Sequence, residues 1–372
     1  MKLLLQNQNL SKKILRKTLN SNKNIVLGLS GGVDSATSAA LLMAQGYNVI
    51  GATCLFVDNQ TSRQAIHDAR AVCEFLGLRH MVYDFRDYFE QTVVEPFCDS
   101  YVHGETPSPC VICNRDCKIP CLIAVADDLG IHDIATGHYA RVVDLLDQQR
   151  KTIKTALDSS KDQSYMLMLL DQSDLERLVL PLGGYTKLEV RSHAERLGIP
   201  VAHRAESQDL CFFAGDYRDF LAQRDMEAEP GPISLLDGTE VGEHQGLYRY
   251  TLGQRKGLGV ALGKPCFVID KDACTNTLYV GFKEDALIRS AEVEDPNWMA
   301  FEKVTDPISC TVKVRYRSPA TPCTVIPLSD NRFKVEFVRP QSLTAPGQFA
   351  AFYEGSILLG GAKIVSLEHA TN

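Results

Sequence analysis

The length, composition and charge of the chain exclude several classes of protein. Its 372 residues are 45% hydrophobic and 23% charged, close to an average soluble globular chain, which excludes a disordered, collagen-like or coiled-coil protein. At roughly 150 residues per domain, this length predicts two or three domains. No apolar run approaches the ~18 residues that a membrane-spanning helix needs, so we expect no membrane partner. The formal net charge of −7 means that any nucleic acid must bind to local basic patches.

The first residues and the cysteines favour a cytoplasmic protein. Residues 1–23 lack the continuous apolar core and small-residue cleavage site of a signal peptide, and we interpret them as an N-terminal extension without an assigned function. Twelve cysteines are too sparse for a disulfide scaffold in a chain of this length. Cytosolic thiols are core residues, metal ligands or chemical reagents, so the role of each cysteine bears on the function.

Alternating strands and helices are predicted from residue 24 to residue 212, which we take as the first domain. In chain order the predicted elements are a strand Asn24–Leu29, a helix that stops at Gly46, a strand Asn48–Phe56, a helix Ala65–Leu76, a strand His80–Phe85, a helix Ile119–Leu129 and a strand Asp133–Thr136. Such alternation predicts an α/β fold with a mostly parallel sheet covered by helices on both faces.

The pattern changes after residue 212. Residues 213–284 are rich in glycine and short elements, and we interpret them as a small central domain. Residues 285–372 alternate as β-structure does, which predicts a small antiparallel barrel or sandwich, and we favour a β-barrel. The predicted strands there are Ser309–Tyr316, Cys323–Leu328, Arg332–Val338, Gln348–Tyr353 and Ser356–Leu359, the last two joined by a hairpin turn.

A loop suited to binding phosphate lies between the first predicted strand and helix. Glycines let its backbone turn sharply and approach a ligand, and the start of the helix presents N–H groups and a positive dipole end to an anion. Ser30 and Ser35 add hydroxyl donors, and Asp34 is a candidate ligand for Mg²⁺. The alternative is an ordinary glycine-rich turn with a serine cap. The loop is Gly28-Leu29-Ser30-Gly31-Gly32-Val33-Asp34-Ser35.

This loop resembles the PP-loop of ATP pyrophosphatases, which split ATP between the α and β phosphates. It lacks the spacing of a Walker-type loop, and no lysine follows it to reach a γ-phosphate. The resemblance implies that ATP is converted to AMP and pyrophosphate. It does not identify the group that is adenylated.

Four cysteines with the spacing C-x2-C-x3-C-x3-C follow a proline-rich stretch. A four-thiolate metal or iron–sulfur site is one interpretation of Cys110, Cys113, Cys117 and Cys121. Since the last three are spaced four apart, they share one face of a helix, and we assign Cys117 and Cys121 to the core. We expect Cys110 and Cys113 in a loop before the helix, where backbone N–H groups and Arg115 would lower a thiol pKa. Far along the chain, Cys211 stands beside two phenylalanines, a setting more typical of the core than of catalysis.

The motifs taken together resemble one family. GLSGGVDS, TPSPCVICNRDCK, ATGHYAR, KDQSYML, SQDLCF, GEHQGLYRYTLGQRKGLG, VRYR and APGQ follow one another between residues 28 and 348. This series closely resembles the tRNA-specific 2-thiouridylases, the MnmA family. The resemblance implies ATP-dependent replacement of O2 by sulfur in the wobble uridine (U34) of tRNA. It also implies ATP as a cofactor, and a sulfur-relay protein or cysteine desulfurase as persulfide donor. We expect Mg²⁺, bound by Asp34, as a second cofactor, and a monomeric enzyme.

The same resemblance implies roles for individual residues. The loop, Cys54 and Gly137 match ATP-binding positions, and Ser108, Pro109 and Cys110 match the stretch beside the target base. Cys211 matches the cysteine that carries the persulfide, and Cys113 the nucleophile that frees its sulfur and leaves a Cys113–Cys211 disulfide. The positions that match tRNA contacts are His138, Lys161, Asp162, Gln163, Arg315, Tyr316 and Gln348. Lys313 and Arg315 also lie in a basic segment suited to phosphate contact, although a solvated strand face is the alternative.

One departure and two rival functions stay open. Cys110 stands where the family pattern has aspartate, which allows a second resolving disulfide or a three-thiolate cluster of Cys110, Cys113 and Cys211. We hypothesise that Cys110 lines the base pocket and is not the primary nucleophile. The rival functions are a PP-loop synthetase that adenylates a small metabolite, and an iron–sulfur or redox-sensing nucleic-acid-binding protein.

Overall fold

The computed structural model describes residues 23–204, 210–224, 229–329 and 331–370. These residues form two compact units: the first contains 23–92, 111–204 and 356–358, and the second the remainder. The predicted N-terminal extension therefore lies outside the described residues except for Lys23. No helix among the described residues is long and apolar enough to cross a membrane.

The first unit is built on a parallel sheet, as predicted. Its five strands lie in the order β3-β2-β1-β4-β7, and a hairpin of β5 and β6 follows the fourth of them. The register places Leu27 beside Gly51 on one side and Ala135 on the other, in the centre of the sheet. The strands are β1 Asn24–Gly28, β2 Asn48–Leu55, β3 Arg79–Asp84, β4 Asp133–Ala135, β5 Ala140–Leu145, β6 Arg150–Thr155 and β7 Leu178–Val179.

The helix after β1 is buried on two sides. Its residues Leu42 and Met43 pack with Ile25 and Leu27 of the sheet, whereas Val33 and Ala36 pack in a separate cluster. Burial on both sides explains why this helix reads as alanine-rich and apolar. The helices are α1 Val33–Ala44, α2 Gln60–Leu76, α3 Arg86–Phe89, α4 Glu95–Val102, α5 Pro109–Cys113, α6 Ile119–Asp128, α7 Gln172–Arg177, α8 Lys187–Leu197 and α9 Tyr217–Ala222.

Two prolines coincide with irregular helical turns. A π-helical turn over Glu90–Val94 precedes α4, and another over Asn114–Lys118 joins α5 to α6. Pro96 and Pro120 each lie two residues beyond such a turn. Proline has no N–H to donate to the residue four before it, and a π-turn accommodates the altered hydrogen bonding. The helix predicted over Ile119–Leu129 begins at Ile119 as predicted and ends at Asp128, and α5 and the π-turn precede it without a break.

The second unit contains two β-structures. The smaller sheet has the order β10-β11-β8-β9, in which β8 and β11 are parallel. The larger is an antiparallel barrel in the order β12-β15-β14-β13-β16-β17, closed by pairing of β12 with β17, as predicted. The strands are β8 Gly231–Leu235, β9 Glu240–His244, β10 Phe267–Asp272, β11 Thr277–Gly281, β12 Leu287–Trp298, β13 Ile308–Lys313, β14 Thr321–Ser329, β15 Arg332–Ser342, β16 Phe349–Glu354 and β17 Ile357–His369.

Three predicted strand ends in the barrel are wrong by three or more residues. The strand expected to end at Val338 continues to Ser342. The strand expected to reach Tyr316 ends at Lys313, because Arg315 and Ser318 close a turn. The Arg315 backbone N–H donates to Ser318 Oγ at 3.2 Å, and the Ser318 N–H donates to the Arg315 carbonyl at 3.1 Å. The last strand, expected to end at Leu359, continues to His369 because it pairs along its length with β12 and so closes the barrel.

Candidate active site

The predicted phosphate loop joins β1 to α1 in the first unit. Gly31 has φ +69°, and a Cβ on it would lie 2.4 Å from the Ala65 carbonyl oxygen, so only glycine fits there. Gly32 is the N-cap of α1 and provides no side-chain cap for the N–H groups of the first turn. These donors and the positive end of a twelve-residue helix suit a polyphosphate. The residues therefore fit the triphosphate of ATP.

A second glycine predicted for ATP binding lies against this loop. A Cβ on Gly137 would be 3.1 Å from the Ser35 backbone nitrogen, so the segment after β4 approaches the start of α1 closely. Cys54 lies near the end of β2 and is partly buried. Burial raises the pKa of the Cys54 thiol to about 12. Cys54 is therefore a neutral thiol near neutral pH.

The carboxylate of Asp34 is held by two residues that the sequence did not single out. Lys187 Nζ lies 2.7 and 2.8 Å from its two oxygens, and the Tyr139 hydroxyl donates to one of them at 2.7 Å. The Lys187 ammonium also lies 5.7 Å from the centre of the Tyr139 ring, within range of a cation–π interaction. A lysine from elsewhere in the chain thus reaches the loop that has none of its own.

Lys187 is placed by the start of α8. Thr186 caps this helix by accepting from the Glu189 N–H, and the Glu189 side chain accepts from the Thr186 N–H. Lys187 is therefore the first residue of the helix, where the dipole disfavours a positive charge. Its side chain is 11% exposed and faces Asp34. A lysine placed against the local preference is typical of a functional site.

Cys113, Cys117 and Cys121 occupy one helical run in the first unit. Cys117 and Cys121 are buried, with their Sγ atoms 3.9 Å apart, which confirms their assignment to the core. Cys113 lies in α5 and is 7% exposed, so the predicted loop position is wrong. Pro109 starts the helix, a position at which its missing N–H costs nothing.

The expected lowering of the Cys113 pKa is also wrong. A hydrogen bond with the Cys117 thiol and burial raise the pKa of Cys113, and the nearby Lys118 opposes them only in part. Arg115, which we expected to stabilise a thiolate, instead forms a bidentate pair with Asp116, with both distances 2.6 Å. Cys113 therefore needs an additional influence before it can act as a nucleophile.

The residues described by the structure show no metal centre. Across 23–204, 210–224, 229–329 and 331–370, no three His, Cys, Asp or Glu side chains form a group that could hold a metal ion. The four cysteines with metal-ligand spacing therefore do not converge as a four-thiolate site.

Two of the residues predicted to contact tRNA form hydrogen bonds within the first unit. Asp162 is buried and accepts from the Ala156 N–H at 2.9 Å and the Ser164 hydroxyl at 2.8 Å. Gln163 forms two hydrogen bonds with the Tyr139 backbone. Its side-chain oxygen accepts from the Tyr139 N–H, and its backbone N–H donates to the Tyr139 carbonyl. These bonds make Gln163 part of the support for the Tyr139–Asp34 contact. Lys161 is partly exposed, beside them in the same loop.

His138 is a neutral histidine at the edge of this site. Its Nδ1 lies 2.8 Å from the Thr136 hydroxyl. Desolvation and, to a lesser extent, the charge of Lys118 lower the pKa of His138 to about 3. A neutral imidazole can accept or donate a hydrogen bond to a base without carrying a charge.

In the second unit, Cys211 is exposed beside an aromatic cluster. Phe212 and Phe213 pack with Phe97 at ring-centre distances of 5.2 and 6.0 Å. Phe220 and Tyr101 belong to the same cluster. The two phenylalanines thus serve the core, whereas Cys211 itself stays on the surface. Of the SQDLCF motif, residues 207–209 lie outside the described part of the chain.

The remaining predicted positions also lie in the second unit. Ser108 and Pro109 are half-buried and Cys110 is exposed at the start of α5. Gln348 donates from its side chain to the Thr106 carbonyl at 2.8 Å, two residues before Ser108. Arg315 donates to the Leu252 carbonyl at 3.3 Å, and Tyr316 lies in the turn that follows β13.

Three family models match successive parts of the chain. They describe a tRNA methyl transferase HUP domain over residues 23–215, a tRNA methyl transferase PRC-barrel domain over 218–282 and an aminomethyltransferase beta-barrel domain over 288–364. A tRNA-specific 2-thiouridylase MnmA from Moorella thermoacetica is 44% identical over 92% of this chain and 99% of its own length. The chain belongs to the tRNA-specific 2-thiouridylase family.

A second relative agrees with this family. The 2-thiouridylase MnmA from Syntrophotalea carbinolica is 43% identical over 92% of this chain and 99% of that protein. Among solved structures, the U34-tRNA thiolase NcsA from Methanococcus maripaludis, which contains a [4Fe-4S] cluster, is 19% identical. It matches 59% of this chain and 71% of its own with a TM-score of 0.35.

Proposed function

We propose that this protein is an ATP-dependent tRNA-uridine 2-sulfurtransferase that converts the wobble uridine (U34) to 2-thiouridine. The observation that carries the proposal is that one unit contains both a glycine-rich loop at an uncapped helix start, suited to a triphosphate, and the Cys113 thiol. Membership of the 2-thiouridylase family supports the choice of tRNA as substrate and does not favour a small-metabolite synthetase or an iron–sulfur nucleic-acid-binding protein.

The adenylation step follows from the chemistry of the uracil carbonyl. Oxygen at C2 is a poor leaving group, so O2 attacks the α-phosphorus of ATP and pyrophosphate departs. The N–H groups at the start of α1 hold the phosphates, and Lys187 supplies positive charge beside them. Asp34 is the residue that would hold Mg²⁺, and the ion would neutralise part of the negative charge of the phosphate oxygens.

The sulfur step uses two thiols. The terminal sulfur of a persulfide on Cys211 attacks C2, and AMP leaves with the former O2. The Cys113 thiolate then attacks the Cys211 sulfur, so that C2 keeps the transferred sulfur and a Cys113–Cys211 disulfide forms. A thiol reductant then supplies two electrons, which reduce the disulfide and restore both thiols. Because the hydrogen bond with the Cys117 thiol and burial raise the pKa of Cys113, we propose that tRNA or ATP binding activates it.

Further parts of the proposal complete the enzyme. The first domain, 24–212, carries the catalysis, and a central domain, 213–284, joins it to a barrel, 285–372, that contacts tRNA. Ser108, Pro109 and Cys110 line the pocket for the flipped base. The tRNA contacts are His138, Lys161, Asp162, Gln163, Arg315, Tyr316 and Gln348, of which the buried Asp162 would act through its loop. The enzyme works as a cytoplasmic monomer that receives sulfur from a relay protein or a cysteine desulfurase.

A direct assay tests the proposal. The protein is incubated with tRNA, ATP, Mg²⁺ and a persulfide donor, and the tRNA is digested for nucleoside mass spectrometry. A sulfur-for-oxygen mass gain at one uridine, lost in Cys113→Ser and in Cys211→Ser, is the expected result. Unmodified tRNA with the wild-type protein would contradict the proposed function. Cys110→Ser should retain thiolation, and complete loss there would contradict its placement in the base pocket.

A further inference from the structure

The segment before α5 has little hydrogen bonding of its own. It follows α4, begins with Gly104 at φ +75° and ends at Pro109, the first residue of α5. Pro107 and Pro109 have no N–H, so this base-pocket loop, residues 104–108, cannot pair as a strand. Within it, the Glu105 N–H donates to the Ser100 carbonyl at 2.9 Å. The Gly104 N–H likewise donates to the Tyr101 carbonyl at 3.1 Å, so α4 holds the first two residues of the loop. Thr106 and Pro107 are held by the C-terminal barrel.

The barrel holds the loop through the APGQ motif. The Thr106 N–H donates to the Pro346 carbonyl at 2.8 Å, and Gln348 Nε2 donates to the Thr106 and Pro107 carbonyls at 2.8 and 3.3 Å. Gly347, which lies between Pro346 and Gln348, has φ +86°. A Cβ on it would lie 2.9 Å from Glu105 Cβ. The motif is thus shaped to receive the loop.

A charged contact reinforces these hydrogen bonds. Glu105 Oε1 lies 2.9 Å from Lys363 Nζ in β17, with side chains 23% and 35% exposed. Ile364, the next residue of β17, forms two backbone hydrogen bonds with the APGQ turn. Its carbonyl accepts from the Gly347 N–H, and its N–H donates to the Gln348 carbonyl. Lys271 of the smaller sheet is a second cation in electrostatic range of Glu105. One carboxylate therefore connects the loop to the strand that anchors APGQ.

The loop keeps this conformation at a cost. The Thr106 hydroxyl is buried and has no hydrogen-bond partner among the described residues. An unpaired buried hydroxyl destabilises a fold, because it loses its hydrogen bonds to water and gains none in return. Retention of such a group is typical of a segment whose position serves function rather than stability.

We propose that Glu105, through its ion pair with Lys363, is a positioning residue that fixes the base-pocket loop to the barrel for sulfur transfer. The proposal rests on the proposed function, since the loop leads directly into Ser108, Pro109 and Cys110. Glu105 acts through the loop, so it affects the reaction after tRNA has bound. Small misplacement of reacting groups is enough to lower a rate by roughly 10- to 100-fold.

The test separates positioning from folding and from binding. In Glu105→Gln and in Lys363→Gln, kcat for tRNA thiolation is expected to fall roughly 10-fold, while the Kd for tRNA and for ATP changes less than about twofold. Hydrogen exchange of the peptide covering residues 99–110 is expected to increase in both variants. The variant with both Glu105→Gln and Lys363→Gln is expected to have a kcat no lower than that of either single variant. Lys363→Arg, which keeps the positive charge, is expected to retain the wild-type kcat.

A matched control is available on the same barrel. Glu292 pairs with Arg332 at 3.3 Å on an exposed face, so Glu292→Gln removes a comparable ion pair away from the loop and should leave kcat and exchange unchanged. Unaltered kcat in Glu105→Gln would overturn the proposal, as would lost activity with unaltered exchange of the loop. If the wild-type protein itself does not thiolate tRNA, the proposed function fails. In that case unchanged exchange in Glu105→Gln would also overturn the anchoring, whereas increased exchange would support it.

Discussion

The ammonium group of Lys187 contacts both carboxylate oxygens of Asp34, although 153 residues separate the two in sequence. The pair is mostly shielded from water, with side chains 11% and 32% exposed. A phosphate loop without a lysine of its own thereby gains one from the start of α8. The electrostatics of the proposed ATP site thus depend on a helix that is remote in the chain.

Replacing Lys187 should weaken ATP binding selectively. In the proposed complex with ATP, Lys187→Met removes a cation beside the β and γ phosphates. A charged hydrogen bond worth about 1.5–3 kcal/mol corresponds to a roughly 10- to 100-fold weaker Kd for ATP. Affinity for AMP, which lacks those phosphates, should change less than about twofold by the same reasoning. Isothermal titration calorimetry with both nucleotides measures this. Lys151→Met, which breaks an exposed pair with Asp144, is the control. Equal losses for ATP and AMP would show that Lys187 does not contact the leaving phosphates.

The two proposed catalytic thiols should differ in reactivity before substrates bind. Cys211 is exposed, whereas Cys113 is 7% exposed with a raised pKa, so iodoacetamide at pH 7.5 should label Cys211 at least roughly 10-fold faster. Because the pKa of Cys113 is raised, its labelling should increase as the pH rises and its thiolate fraction grows. Peptide mass spectrometry after timed quenching gives both rates, and buried Cys73 is an internal reference. Equal rates for Cys113 and Cys211 would contradict the buried placement of Cys113.

The phosphate loop should tolerate no side chain at Gly31. An alanine there must adopt φ +69° and place its Cβ 2.4 Å from the Ala65 carbonyl oxygen, so Gly31→Ala should lower the free energy of unfolding by about 2–4 kcal/mol. Gly130 is the matched control, since it has φ +65° with nothing within 4 Å of an added Cβ. Gly130→Ala should cost only about 1 kcal/mol of backbone strain. Urea denaturation measures both, and equal losses would mean that α2 moves to make room.

Local patterns predicted the sheet and the loop, but not the residues that meet them. The strand-loop-helix order from Asn24 and the alternation in the barrel follow from side-chain periodicity, which acts over a few residues. The sequence analysis predicts a loop at Cys110 and Cys113, although Ser108-Pro109 is a favourable helix start and α5 begins there. The Thr186–Glu189 capping box predicts that a helix begins at Lys187, but no local rule states which loop this lysine faces. Contacts such as Lys187–Asp34 and Gln348–Thr106 depend on tertiary packing and need coordinates.

Acid should destabilise the protein through His138. Its folded-state pKa of about 3 lies below the ordinary 6.5, so below pH 6.5 the unfolded chain binds a proton that the folded protein does not. Stability from the neutral imidazole is present above pH 6.5 and is lost as the pH falls toward 3. At pH 5 this loss amounts to roughly 1–2 kcal/mol. His138→Gln cannot titrate, so its free energy of unfolding should fall less than that of the wild type between pH 7 and pH 5. Urea denaturation at both pH values measures the difference, and parallel losses in the two proteins would show that His138 is not held neutral.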